Sequence, residues 1–345
     1  CSSDLIEIAA LTDAVDGAQT DLNISASGSL VLDSINLDDG ALDGALNIAF
    51  DTEGNGIRTL TTTGALTNLS TLQIAGTGGD DLILFNADVL SSGALDINTV
   101  NTVEMVSDVD LTAASVDITN AVTTLELSGS TTNRITSTAG DINLTAVDSI
   151  TSNLIMDAGA ADNITVASYT GGGGIQVLDS GSTTFSGSVD AGVVTLTDTT
   201  GAISFASNTN IDTLTTSNRG YSLSFTGDLT DFTNNVGFSN TGGLKLGDSA
   251  GDVVLFNAGA TATASQIEIA GAIRSTGDIL TLGDIVLTDT SSIDSTGGTP
   301  TAPGAALNLT GSITSLSGNA LTLTSGSSGA ITVSGAVDNI SDLTV

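Results

Sequence analysis

Gly79-Asp80-Asp81-Leu82-Ile83-Leu84-Phe85-Asn86-Ala87 returns later in the chain as Gly251-Asp252-Val253-Val254-Leu255-Phe256-Asn257-Ala258, and the tetrapeptide Leu-Phe-Asn-Ala is identical in both. With only eight Phe in 345 residues, coincidence is a poor explanation. Phe85 and Phe256 lie 171 residues apart, and similar offsets join other stretches. Gly56-Ile57-Arg58-Thr59-Leu60 is echoed by Gly220-Tyr221-Ser222-Leu223. Asn143-Leu144-Thr145 with Ser149-Ile150-Thr151-Ser152 is echoed by Asn308-Leu309-Thr310 with Ser312-Ile313-Thr314-Ser315. Repetition at a long period decides the architecture before local detail does, so the chain reads as two copies of a unit of roughly 170 residues, 1–172 and 173–345.

Outward from that stretch the pattern is monotonous. Leu22-Asn23-Ile24, Leu46-Asn47-Ile48, Leu125-Glu126-Leu127, Leu244-Lys245-Leu246 and Leu321-Thr322-Leu323 place apolar residues two apart. That is the period of a strand with one buried face. Gly, Asp, Asn or Ser follows each triplet within a few residues and supplies turns. Asp4 to Leu11 carries the one helix-like phrase, but its apolar residues hold no clean face, and it reads as strand. Strands this short, with aromatics at 3%, do not suit an immunoglobulin sandwich. The expected fold is all-β, a right-handed parallel β-helix (β-solenoid) with coils of about 20 residues. Two units then give roughly 16 coils in one continuous rod. Its core is expected to be a narrow stack of Leu, Ile and Val, too tight for large aromatics in general, with Phe85 and Phe256 as rare aromatics stacked in the core of one coil and Asn86 and Asn257 as turn-ladder candidates. Thr170 to Gly174 reads as a turn between coils, and Asp294 to Ala306, with Pro300 and Pro303, as a loop protruding from the rod.

The charge balance is 39 acidic residues against five basic ones, a net charge of −34. Arg58, Arg134, Arg219, Lys245 and Arg274 are scattered singly, which argues against nucleic acid or an anionic membrane as partner. An acidic, well-solvated surface favours cations or a salty medium. Stacked Asp side chains would lie inside the ~8 Å screening length, so low salt should weaken the stack. Cys1 is the sole cysteine, and no internal disulfide is available. The Cys-Ser-Ser start reads either as a processed lipoprotein terminus or, preferably, as the start of a fragment cut from a longer array. No apolar run approaches the roughly 20 residues of a spanning helix.

The chain has no His, which removes imidazole bases and His-based metal sites. Paired carboxylates remain, as in β-helical polysaccharide lyases and hydrolases, but Arg58 and Arg219 sit at corresponding places beside Gly56 and Gly220, which suits structural turns more than a catalytic pair. Gly76-Thr77-Gly78-Gly79-Asp80-Asp81-Leu82 is a degenerate copy of the Gly-Asp nonapeptide of calcium-binding β-rolls, with a looser echo at Gly247 to Val253. Asp80, Asp81 and Asp252 are therefore the candidate Ca²⁺ ligands; no other cofactor is expected. Asn-x-Ser/Thr occurs at Asn23, Asn68, Asn143, Asn163, Asn308 and Asn339, as weak glycosylation candidates. Thr runs such as Thr61-Thr62-Thr63 are too irregular for the flat Thr arrays of ice-binding solenoids.

Gly140-Asp141-Ile142-Asn143-Leu144 and Gly277-Asp278-Ile279-Leu280-Thr281-Leu282, set among Ser/Thr-rich short strands, resemble the filamentous-haemagglutinin type of secreted bacterial β-helix. More loosely, the chain resembles the giant repetitive surface proteins of aquatic bacteria. The resemblance implies an extracellular or cell-surface rod. The expected function is a non-catalytic structural segment of a filament or surface layer, with other copies of itself as partners and no membrane insertion. An adhesin stalk binding a glycan or protein is the alternative, and a β-helical polysaccharide-degrading enzyme is third.

Overall fold

The computed structural model describes residues 5–12, 21–37, 43–50, 58–76, 81–120 and 122–345. Within them the chain is all-β, without a helix. Parallel strands stack as a β-solenoid of about 14 turns with coils of about 22 residues. The chain divides into two compact units, Cys1–Ile175 and Gln176–Val345.

In the first unit, Leu5–Ile8, Ser29–Leu32, Thr59–Thr62, Leu82–Phe85, Thr102–Met105 and Thr124–Leu127 pair one upon the next, all parallel. Alternation then produces columns. Leu30, Leu60, Ile83, Val103 and Leu125 fall on one inward line, and all are fully buried. Val31, Thr61, Leu84, Glu104 and Glu126 form the outward line beside it. Each strand is too short to satisfy its own backbone; the coil on either side supplies the partners. Burying each Leu or Ile stabilises the stack by roughly 1.5–3 kcal/mol.

The second unit repeats this logic with aromatic columns. Phe185, Phe205 and Phe225 are register partners on successive coils. Their rings stack at 4.7 and 4.8 Å with interplanar angles of 8° and 10°. Phe232 stacks on Phe256 at 5.1 Å, and Phe238 meets both edge-on. All eight Phe and both Tyr are buried. Phe85 and Phe256 are core residues as expected, whereas the expectation of a core otherwise too narrow for aromatics is wrong. A parallel in-register stack sets like residues about 4.8 Å apart, and offset-stacked rings tolerate that distance.

Asp4 to Leu11, where described, is strand as expected: Leu5–Ile8 and Leu11–Thr12. The coils are longer and fewer than the roughly 16 anticipated, because loops stretch some of them. Ser291 pairs with Leu321, and the backbone of Thr59 bonds Ser29 across 30 residues. The glycine run is a tight inter-coil turn. Gly171 has φ +119°, and a Cβ there would strike the Ser149 carbonyl. The Asp294–Ala306 segment does not protrude freely. Ser295 Oγ donates to the Ala305 carbonyl at 2.7 Å, and Pro303 forms an antiparallel bridge with Gly326 on the next coil.

Candidate functional site

Asp81 and Asp252, the candidate Ca²⁺ ligands within the described residues, precede equivalent strands and are buried; Asp80 lies outside those residues. Asp81 is wholly buried, and its Oδ1 accepts the Arg58 backbone N–H at 3.2 Å. A Cβ at Gly76 would stand 2.6 Å from the other Asp81 oxygen, so glycine leaves room for the carboxylate. Asp252 is 3% exposed. Its Oδ2 accepts the backbone N–H groups of Asp248 at 2.8 Å and Ser249 at 3.0 Å. Asp252 thus closes its own loop and Asp81 ties its strand to the adjoining coil, each through charge-assisted bonds from backbone N–H that offset the burial of its charge. Among the described residues no group of three or more acidic, His or Cys side chains is set to hold a metal ion. One oxygen of each carboxylate, Asp81 Oδ1 and Asp252 Oδ2, is thus engaged with backbone.

The remaining polar side chains form outward ladders. Glu104, Glu126 and Asp148 are register partners on three successive coils of the first unit. Burial, then the neighbouring Glu104 and Asp148 charges, raises the Glu126 carboxyl above its ordinary range. A depression of about 370 Å³ lies over Glu126 and Asp148. Thr170 follows Asp148 in the same column, and no basic residue stands in it. A second ladder places Asn23, Asn47, Gln73, Asp96, Asp117 and Asn143 in register. Asn47 Nδ2 donates to Asn23 Oδ1 at 3.0 Å. In the second unit Asn210 stands between Asp190 and Asp231, and its Nδ2 donates to Asp190 Oδ1 at 2.7 Å. The Asn257 amide of the repeated tetrapeptide likewise donates to Asp231 Oδ1. Amides interleaved with carboxylates supply donors where like charges would otherwise face one another.

The basic residues remain scattered. Arg134 pairs with Asp157 at 3.9 Å and Arg219 with Asp198 at 3.5 Å. Lys245 stands opposite Glu268, and Arg274 opposite Asp294. Of the glycosylation candidates, Asn23, Asn163 and Asn339 are exposed, while Asn68, Asn143 and Asn308 are half-buried.

One feature of the second unit escaped sequence reading. Thr195 pairs with Thr215, Gly237 with Thr261, Thr261 with Thr281, Thr281 with Asn308, and Asn308 with Thr332, all pointing outward. Thr215 connects to Gly237 through Thr216, whose Oγ1 donates to the Gly237 carbonyl at 3.1 Å. Two residues further along each strand a second hydroxyl-rich column runs through Thr197, Ser217, Thr263 and Thr310. Neither column contains a charged residue. The spacing along the first varies from 20 to 27 residues, which hides it from any fixed-period search. Comparison with family models, with curated proteins and with solved structures returns no match, so the architecture and these ladders are what characterise the chain.

Proposed function

We propose that the chain is a non-catalytic structural segment of an extracellular filament or cell-surface layer. The observation that carries this reading is the even distribution of its polar groups. Acidic, amide and hydroxyl side chains run as ladders along successive coils, one residue per rung, rather than converging on a single concavity. A stack built this way specifies length and surface chemistry, as an extended support requires. The high acidic charge keeps such a surface solvated. The resemblance to secreted bacterial β-helices points the same way.

Antibody raised against this chain and applied to intact source cells, with electron microscopy, tests the reading. The expected result is label on fibres or a layer outside the cell, lost after brief protease treatment of intact cells. Label confined to the cell interior, or turnover of a polysaccharide by the purified chain, overturns it.

A further inference from the structure

We infer that the hydroxyl face of the second unit, running from Thr195 to Thr332, is a lateral docking surface for a second copy of this chain. The inference rests on the structural-segment reading and names the surface by which copies would lie side by side.

Charge selects the face. At −34 net, two copies repel wherever carboxylates meet. The other two outward columns of this unit carry ions: Lys245, Glu268 and Asp338 on one, Asp190, Asp231 and Arg274 on the other. The Thr195–Thr332 column and its Thr197–Thr310 neighbour carry none. Contact there sets no carboxylate of these columns directly against one of the other copy.

Shape fits the same partner. From Gly237 to Thr332 the strand pairing runs without a register shift, so the side chains there rise in ranks about 4.8 Å apart. Ranks of small β-branched side chains on one copy can seat between those of another. Thr loses little rotamer freedom on contact, and each hydroxyl can both donate and accept across the interface. Val193 and Ile279, 45% and 53% exposed, border the first column and add apolar area. Seven rungs two positions wide cover about 300–400 Å², roughly half of the ~800 Å² per partner that a stable complex buries. Pairing through this face is therefore weak and reversible between single copies, and becomes strong only where many copies align.

Sedimentation velocity of the full chain over a concentration series, at low and high salt, tests this. The expected result is reversible association that grows with salt, because salt screens the net charge while leaving the hydroxyl face intact. Thr215→Asp combined with Thr261→Asp, both exposed, should weaken association at least tenfold without lowering the melting temperature. Thr184→Asp combined with Ser224→Asp, on another outward column, should leave it unchanged. Association equally retained in the Thr215/Thr261 pair refutes the face while leaving the filament reading intact. A wild-type chain that stays monomeric at every salt refutes the face as well. If that monomer instead partitions onto ice or crystalline polysaccharide, and the face variant does not, the surface belongs to a solid lattice. A monomer coupled with failure to label any extracellular structure refutes both readings together.

Discussion

Phe205 offers the sharpest test of how the second unit is held together. Its ring is fully buried and sandwiched between Phe185 at 4.7 Å and Phe225 at 4.8 Å, both nearly coplanar with it. Phe205→Ala removes the transfer free energy of a buried aromatic and leaves a cavity, together about 3–5 kcal/mol. It also removes two stacked pairs at once, each contributing about 0.5–1.5 kcal/mol beyond area. The expected loss is therefore at or above the upper end of the first range, about 5 kcal/mol. Phe205→Leu keeps most of the volume but no stacking, and should lose about 1.5–3 kcal/mol. Phe85→Ala is the reference, because Phe85 is equally buried but its register neighbours are Thr62 and Met105. It should fall near the lower end, about 3 kcal/mol. Urea denaturation gives the totals, and amide exchange on Ala202–Phe205 and Ser222–Phe225 gives the local effect, since long stacks need not unfold in two states. If Phe205→Ala loses no more than Phe85→Ala, the ring stack contributes nothing beyond bulk, and the argument fails.

Glu126→Gln should stabilise the protein at neutral pH by a fraction of a kcal/mol, since it removes like charges set directly opposite. The raised Glu126 carboxyl means the native state holds its proton more tightly, so stability falls as pH rises through that group; the advantage of the variant should vanish on acidification below about pH 4, as thermal melts against pH would reveal. Burial pushes the Tyr169 phenol up to about 12, so stability should hold below pH 10 and be lost between about pH 10 and 12. Tyr169→Phe should flatten that loss, and phenolate absorbance during unfolding is the check. Asp252→Ala leaves the amides of Asp248 and Ser249 without their acceptor and should destabilise by about 2–4 kcal/mol, more than Asp252→Asn. Raising ionic strength should raise the melting temperature, and Ca²⁺ should act no differently from Mg²⁺ at matched ionic strength; a Ca²⁺-specific rise lost in Asp252→Asn would make the Gly-Asp loop a cation site.

The solenoid was legible because period-two alternation depends only on which face of a strand is dry. Leu125-Glu126-Leu127 and Leu321-Thr322-Leu323 are strands with both Leu inward. The coil length was less legible, since insertions such as Asp294 to Ala306 lengthen a coil without disturbing its strands. Partners across coils were not legible at all. Nothing in Thr281 and Asn308, 27 residues apart, announces that they stand side by side. The Phe185–Phe205–Phe225 column was hidden for the same reason, and scarcity of aromatics was mistaken for lack of room. Asp81 and Asp252 stand out in the sequence through the repeated Gly-Asp phrase. Their chemistry could not be read, because whether a carboxylate meets an ion or a backbone amide depends on the path of a loop.

The one-rung pairing of short parallel strands also has a mechanical meaning. Hydrogen bonds between coils run along the stacking direction, so tension on a chain end loads only the outermost coil. Each coil of about 22 residues would peel as its own step, releasing roughly 75 Å of slack at 3.3–3.6 Å per residue. Either unit would then yield as a series of small even extensions rather than a single rupture. The stacked rings between Phe185 and Phe256 would act as a stop at which further extension demands a larger force.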